Sequence, residues 1–192
     1  MTSNKIKEIA LIHFARNGYE GASLAHIAEE VGIKKQSIYT HFKGKDELFL
    51  QLCKDTSLYE LNTVADYIYK NRNLPVKDIL YNLLLHFRDQ YEKNEYTKFW
   101  LRVSFFPPVH LHEQVMEIVY EYLDKVEGLL QPVFENAQSN GEIHSEVNLS
   151  QSTAAYLGIL DGVFVEMLYG GPTRLEKRID HSWYIYWRGI SK

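Results

Sequence analysis

Apolar residues return every three or four positions along most of the chain and few segments alternate with period two, so the pattern predicts helices almost throughout and an all-α fold. Ile6, Ile9, Ala10 and Phe14 mark a first amphipathic stretch. Leu24, Ile27, Ala28 and Val31 mark a second. Ser23 opens it, with a hydroxyl that can accept from a free amide of the first turn, and Gly32 closes it, tolerating the positive φ of a helix exit. A short third helix fits about Lys34 to His41, with Ile33, Ile38 and Phe42 as its inner side. From about Lys45 to Tyr69 a long helix carries Leu48, Leu52, Leu58, Leu61, Val64, Ala65 and Ile68. Further helices are predicted over Val76 to about Lys93, Tyr96 to Phe106 (stopped by Pro107-Pro108), about Leu111 to Asn140, 148 to 170, and Thr173 to about Gly189. Gly128 and Pro132 fall inside the third of these five, where a kink is expected.

Residues 23–45 organise the rest. The outward side of the third helix is Lys34, Lys35, Gln36, Ser37, Tyr39, Thr40 and His41, a face of donors and cations. With Lys43 and Lys45 added, residues 32–45 hold four lysines and one histidine and no acid before Asp46. Helices this short are unstable alone, because nucleation is costly and few hydrogen bonds repay it, so the flanking amphipathic helices must buttress them. Two short helices around a tight turn, the second bearing Lys, Gln, Ser, Thr and Tyr, form a helix-turn-helix pattern whose second helix enters the DNA major groove.

The run Gly18 to Leu48 resembles the N-terminal domain of the tetracycline-repressor (TetR) family of transcriptional regulators. The matching positions are Phe14, Gly18, Tyr19, Ser23, Ile27, Ala28, Gly32, Ile33, Ser37, Ile38, Tyr39, His41, Phe42, Lys43, Lys45 and Leu48. The resemblance implies a three-helix DNA-binding domain at 1–47 and a helical ligand-binding and dimerisation domain at 48–192. It implies a homodimeric repressor on a pseudo-palindromic double-stranded DNA operator, released by a small-molecule effector. Lys35 and Gln36 then face bases, since lysine suits guanine O6/N7 and glutamine suits adenine N6/N7, while Thr40 meets a thymine methyl. Ser37, Tyr39, His41 and Lys45 resemble phosphate-clamping positions; Ser23 and Lys34 complete the expected contacts. Gln36 and Thr40 depart from the residues frequent in the family, so operator sequence does not carry over.

Composition fits this picture once it is divided by region. The net charge of −4 disfavours nucleic acid, yet residues 1–50 carry seven Lys/Arg against six Asp/Glu and residues 51–192 carry fourteen against nineteen. Exposed charges beyond about 10 Å are screened, so a locally basic head can bind phosphate on an acidic body. Cys53 is the only cysteine, which excludes an intrachain disulfide and a zinc site of several thiolates. The N-terminal twenty residues are broken by charges and no apolar run reaches membrane-spanning length, so a cytoplasmic protein with no membrane partner is expected.

The C-terminal part supplies expectations for dimer and effector. In the resembled family the last two helices pair with their copies, which places Ala155, Gly158 and Gly162 on a close-approach side and Trp183 and Trp187 as anchors. Two tryptophans at i and i+4 either close the chain's own core or meet a second subunit. Candidate walls of an effector cavity are Phe87, Phe99, Trp100, Val103, Phe106, Tyr120, Tyr156, Phe164 and Met167, suiting an apolar or flat aromatic molecule. Arg102 would favour a carboxylate there and Glu166 a cation. His110 and His112, at i and i+2, do not share a helix face, so no metal is expected, and no cofactor either. Enzyme motifs are absent. The rival reading is a helical adaptor without DNA affinity.

Overall fold

The computed structural model describes residues 2–192. Helices run over Thr2–Gly21 (α1), Leu24–Val31 (α2), Lys35–Ile38 (α3), Lys45–Asn71 (α4), Val76–Lys93 (α5), Glu95–Phe105 (α6), His112–Ser139 (α7), Leu149–Tyr169 (α8) and Pro172–Ile190 (α9), with a 3-10 turn at Val109–Leu111. The long helices end within two residues of their predicted limits. None of the described helices is long and apolar enough to cross a membrane.

The described residues form two compact units that do not follow chain order. The first comprises residues up to Glu60 and Lys93–Tyr122; the second comprises Leu61–Glu92 and Leu123–Lys192. The expected division falls after residue 47; by packing, α6 and the start of α7 lie with the head, because α6 runs against α1.

In the first unit Ile6, Phe14, Ile27, Ile38, Leu48, Phe49 and Phe99 are almost wholly buried. Phe49 meets Phe14 edge-on at 5.1 Å and Phe99 at 5.6 Å, so three helices share one aromatic centre. The short helices α2 and α3 are thereby held by tertiary burial rather than by propensity. A break in α1 needs separate support. Gly18 sits at φ 70, ψ −179, a conformation open essentially to glycine alone. The break leaves the carbonyls before it short of i+4 partners, and the Arg102 guanidinium on α6 donates to those of Ala15 (3.1 Å) and Arg16 (3.2 Å).

The second unit is built on Leu80, Leu83, Leu84, Phe87, Phe134, Tyr156 and Val163, all buried. The Tyr156 hydroxyl donates to the Leu80 carbonyl at 2.7 Å, and Phe87 meets Phe164 edge-on at 5.1 Å. Between α7 and α8, Gln138 Nε2 donates to the carbonyls of His144 (3.0 Å) and Val147 (2.9 Å), which fixes that connection.

Candidate nucleic-acid interface

Local sequence sets the angle between α2 and α3. Ser23 Oγ accepts from the Ala25 amide at 3.2 Å and starts α2. At the other end Gly32 takes φ 83, ψ 33; its amide reaches the Glu29 carbonyl at 3.0 Å and the Ile33 amide reaches that of Ala28 at 2.9 Å. These paired bonds are the Schellman exit from a helix, and they turn the chain sharply. From α1, Lys5 Nζ donates to the Val31 carbonyl at 3.1 Å, a cation at the negative end of α2.

Regular α3 is only Lys35–Ile38, shorter than the predicted Lys34 to His41. The chain continues as tighter turns, with amides bonding three residues back: Tyr39 to Gln36 (3.2 Å), Thr40 to Ser37 (3.4 Å) and His41 to Ile38 (2.9 Å). Thr40 Oγ1 also bonds the Ser37 carbonyl at 2.7 Å, competing with a regular helical ladder. The element still presents two faces. Ile38 and Phe42 are buried, each contributing about 1.5–3 kcal/mol by removal from water. Ile33, expected beside them, is only half-buried. Lys34, Lys35, Gln36, Tyr39, Thr40 and His41 are exposed, and Ser37 is half-exposed. Of the other side chains expected to meet bases and phosphates, Ser23 and Lys45 are half-exposed.

A second group stands at the start of α4. Lys45 holds its ammonium 4.3 Å from the centre of the Tyr19 ring, a cation–π contact. The Tyr19 hydroxyl donates to Asp46 Oδ1. His110 Nε2, from the turn before α7, stands 3.6 Å from that oxygen, and its ring lies 4.9 Å from the Tyr19 ring. The hydrogen bond from Tyr19, then the nearby His110 and Lys45, hold the Asp46 carboxyl below its ordinary range, while burial and Asp46 push the Tyr19 phenol up. Lys43, exposed between His41 and Lys45, completes the lysine fringe.

A helix-turn-helix head whose second helix turns a cationic, hydrogen-bonding face to solvent is the architecture of a DNA-binding regulator. Residues 8–52 match the profile of the bacterial regulatory proteins of the tetR family. It is similar to the biofilm operon icaADBC HTH-type negative transcriptional regulator IcaR of Staphylococcus aureus (strain Newman), with 33% identity over 101 residues, 53% of each chain. The chain therefore spans about half the length of the curated relatives it matches. Among solved structures it resembles a putative TetR-family transcriptional regulator from Mesorhizobium loti MAFF303099 (18% identity, TM-score 0.76, 100% of this chain and 97% of that one). It also resembles FadR of Bacillus subtilis in complex with stearoyl-CoA (18% identity, TM-score 0.70, 97% and 98%). At these identities the two structures establish the shared fold.

The remaining expected site residues fall in separate places. In the first unit, Phe99, Trp100 and Val103 are buried, whereas Phe106 and Tyr120 are exposed and Arg102 serves the break in α1. In the second, Phe87, Tyr156 and Phe164 are core, and Glu166 accepts from Arg174 Nε (3.1 Å) and Arg178 (3.2 Å). Those guanidiniums hold the Glu166 carboxyl below its ordinary range. Met167 and Glu166 border a groove of about 350 Å³ with Arg88, Tyr91 and Leu175. On α8, Ala155 and Gly158 are exposed and Gly162 is half-buried. Trp183 is 7% exposed and lies against Tyr81 (5.7 Å) and Tyr186 (5.9 Å), and the half-exposed Trp187 stacks on it at 5.4 Å.

Sequence reasoning missed two groups. The Tyr19–Asp46–His110 cluster joins residues 27 or more positions apart, and nothing local marks it. Glu60 is the other: 1% exposed, it accepts from Thr97 Oγ1 at 2.7 Å, and burial pushes its carboxyl up to about 7. A polar residue on the inner side of a helical stripe was its only trace.

Proposed function

We propose that this protein is a homodimeric transcriptional repressor that binds a pseudo-palindromic operator through α3 and the first turn of α4 and is released by a small apolar or aromatic effector. One observation carries the reading: Ile38 and Phe42 are buried while Lys34, Lys35, Gln36, Tyr39, Thr40 and His41 are exposed to solvent. Such side chains offer cations for phosphates and bidentate partners for base edges. Lys35, Gln36 and Thr40 read bases; Ser23, Lys34, Ser37, Tyr39, His41 and Lys45 hold the backbone.

The negative regulator IcaR supports the repressor assignment, and the stearoyl-CoA complex of FadR supports an effector with a long apolar part. The dimer forms through α8 and α9. Their exposed side carries Ala154, Ala155 and Gly158, which let another helix come close, together with Val165, Tyr169, Tyr184 and Ile185. Two heads related by a twofold axis must meet half-sites about 34–36 Å apart, or a multiple. Effector binding tilts α4 and moves the heads off that spacing.

Fluorescence anisotropy with duplexes enriched by the protein from a random-sequence pool tests the reading. Affinity is expected to fall by at least about a hundredfold between about 50 and 200 mM salt, from release of phosphate counterions. No binding to any duplex at low salt refutes it.

A further inference from the structure

Resting on the reading of α3 and α4 as the DNA-binding face, we infer that His110 is a positioning residue for that face, acting through Asp46 and Tyr19 on Lys45. His110 belongs to none of the DNA-binding helices. It stands in the 3-10 turn that follows α6, yet its Nε2 is 3.6 Å from Asp46 Oδ1. Asp46 is the first acid after the lysine fringe, and it takes the Tyr19 hydroxyl proton as a hydrogen bond on the same oxygen. Tyr19 in turn is gripped on three sides, by Phe14, Phe49 and the His110 ring (6.1, 5.1 and 4.9 Å). The Lys45 ammonium lies 4.3 Å from the centre of the same ring. One imidazole therefore touches both groups that fix where the Lys45 charge sits.

Two physical effects follow from the same contact. Protonated His110 completes an ion pair with Asp46, which ties the first turn of α4 to the turn before α7. It also offsets a carboxylate placed beside the position where a phosphate must approach Lys45. Neutral His110 removes both effects, leaving Asp46 to compete with phosphate for the lysine. Histidine changes charge near neutral pH, so DNA affinity carries a component that weakens as pH rises through that range. The groups against the imidazole are Asp46 from α4 and Tyr19 from α1; Lys45 acts in turn on Asp46, and Glu20 on Tyr19. His41 on the reading face and His13, 2.8 Å from Glu30, are further histidines of the head, so total pH dependence alone is not diagnostic.

The position also suits regulation. Residues 93–122 pack with the head in one compact unit, so any ligand that shifts α6 or the turn after it acts directly on the Asp46 contact. No signal along α4 is then needed to unseat the lysine.

The test is a double-mutant cycle on the full chain, read by anisotropy with the enriched duplex from about pH 5.5 to 8.5 at constant ionic strength. His110 and Asp46 are both substantially exposed (47% and 55%), so their substitutions are compatible with folding, which thermal melts verify. His110→Gln is expected to weaken binding about two- to fivefold at low pH, the scale of an exposed ion pair, and to flatten that part of the profile. His110→Lys, which carries a permanent charge, is expected to keep low-pH affinity at high pH. In an Asp46→Asn background His, Gln and Lys at position 110 should bind within about twofold of one another, since coupled residues lose their mutual term together. The inference is overturned if His110→Gln matches the parent at every pH. It is equally overturned if the lysine gain survives without Asp46, which would mark it as bulk charge. Absence of binding by the parent protein would instead sink the DNA-binding reading itself.

Discussion

At the scale of single residues, side chains that look interchangeable in the sequence divide sharply by surroundings. Arg102 and Glu60 illustrate this. Arg102, a candidate effector contact by its place on an aromatic stripe, is committed to two backbone carbonyls at the break in α1. Glu60 sits unmarked in a helical run yet is the buried acid whose recorded hydrogen-bond partner is the neutral Thr97. Its carboxyl is raised from 4.5 to about 7 by burial, so the folded state holds a proton that the unfolded chain releases earlier. The sign follows from linkage: stability is fully present below about pH 4.5 and is lost as pH rises toward about 7. Glu60→Gln is expected to remove a loss of up to a few kcal/mol, measured as the difference between urea unfolding free energies at about pH 5 and about pH 8. An unchanged difference would show that Glu60 ionises without penalty. On the reading face, Tyr39→Phe should weaken all duplexes alike, whereas Gln36→Ala should alter preference at one base pair. Sequencing the duplexes each variant enriches decides between these outcomes.

At the scale of elements, helices were legible from periodicity and their ends from caps. The Ser23 opening of α2 and the Gly32 exit occur where residue chemistry places them. The two glycines that matter most differ in a measurable way. Gly32 at φ 83 has nothing within 4 Å of an added Cβ, so Gly32→Ala costs the left-handed backbone alone, about 1–2 kcal/mol. Gly18 combines a conformation nearly closed to other residues with Arg102 Nε at 3.3 Å from an added Cβ. Gly18→Ala is therefore expected to cost more than Gly32→Ala, and paired thermal melts compare them. The shortness of α3 was not legible. Helical periodicity continues to His41, but bonds to the third residue back and the Thr40 side chain decide the local winding.

At the scale of the whole molecule, the proposed dimer makes a prediction that the tryptophans do not. Trp183 faces inward, so the exposed small side of α8 is the surface to disrupt. Gly158→Arg is expected to yield a monomer by sedimentation velocity and to weaken operator binding steeply, because the twofold register of the heads is lost. A Gly158→Arg dimer would place the interface elsewhere. The sequence by itself determined the all-α class, the helix-turn-helix head and its cationic face, because periodicity, caps and charge order are local properties of a chain. Only the tertiary structure decided that α6 packs with the head, that Trp183 closes a core and that His110 reaches Asp46. Those contacts join residues 64 or more positions apart, and burial, hydrogen bonding and charge between such partners exist only once the chain has folded.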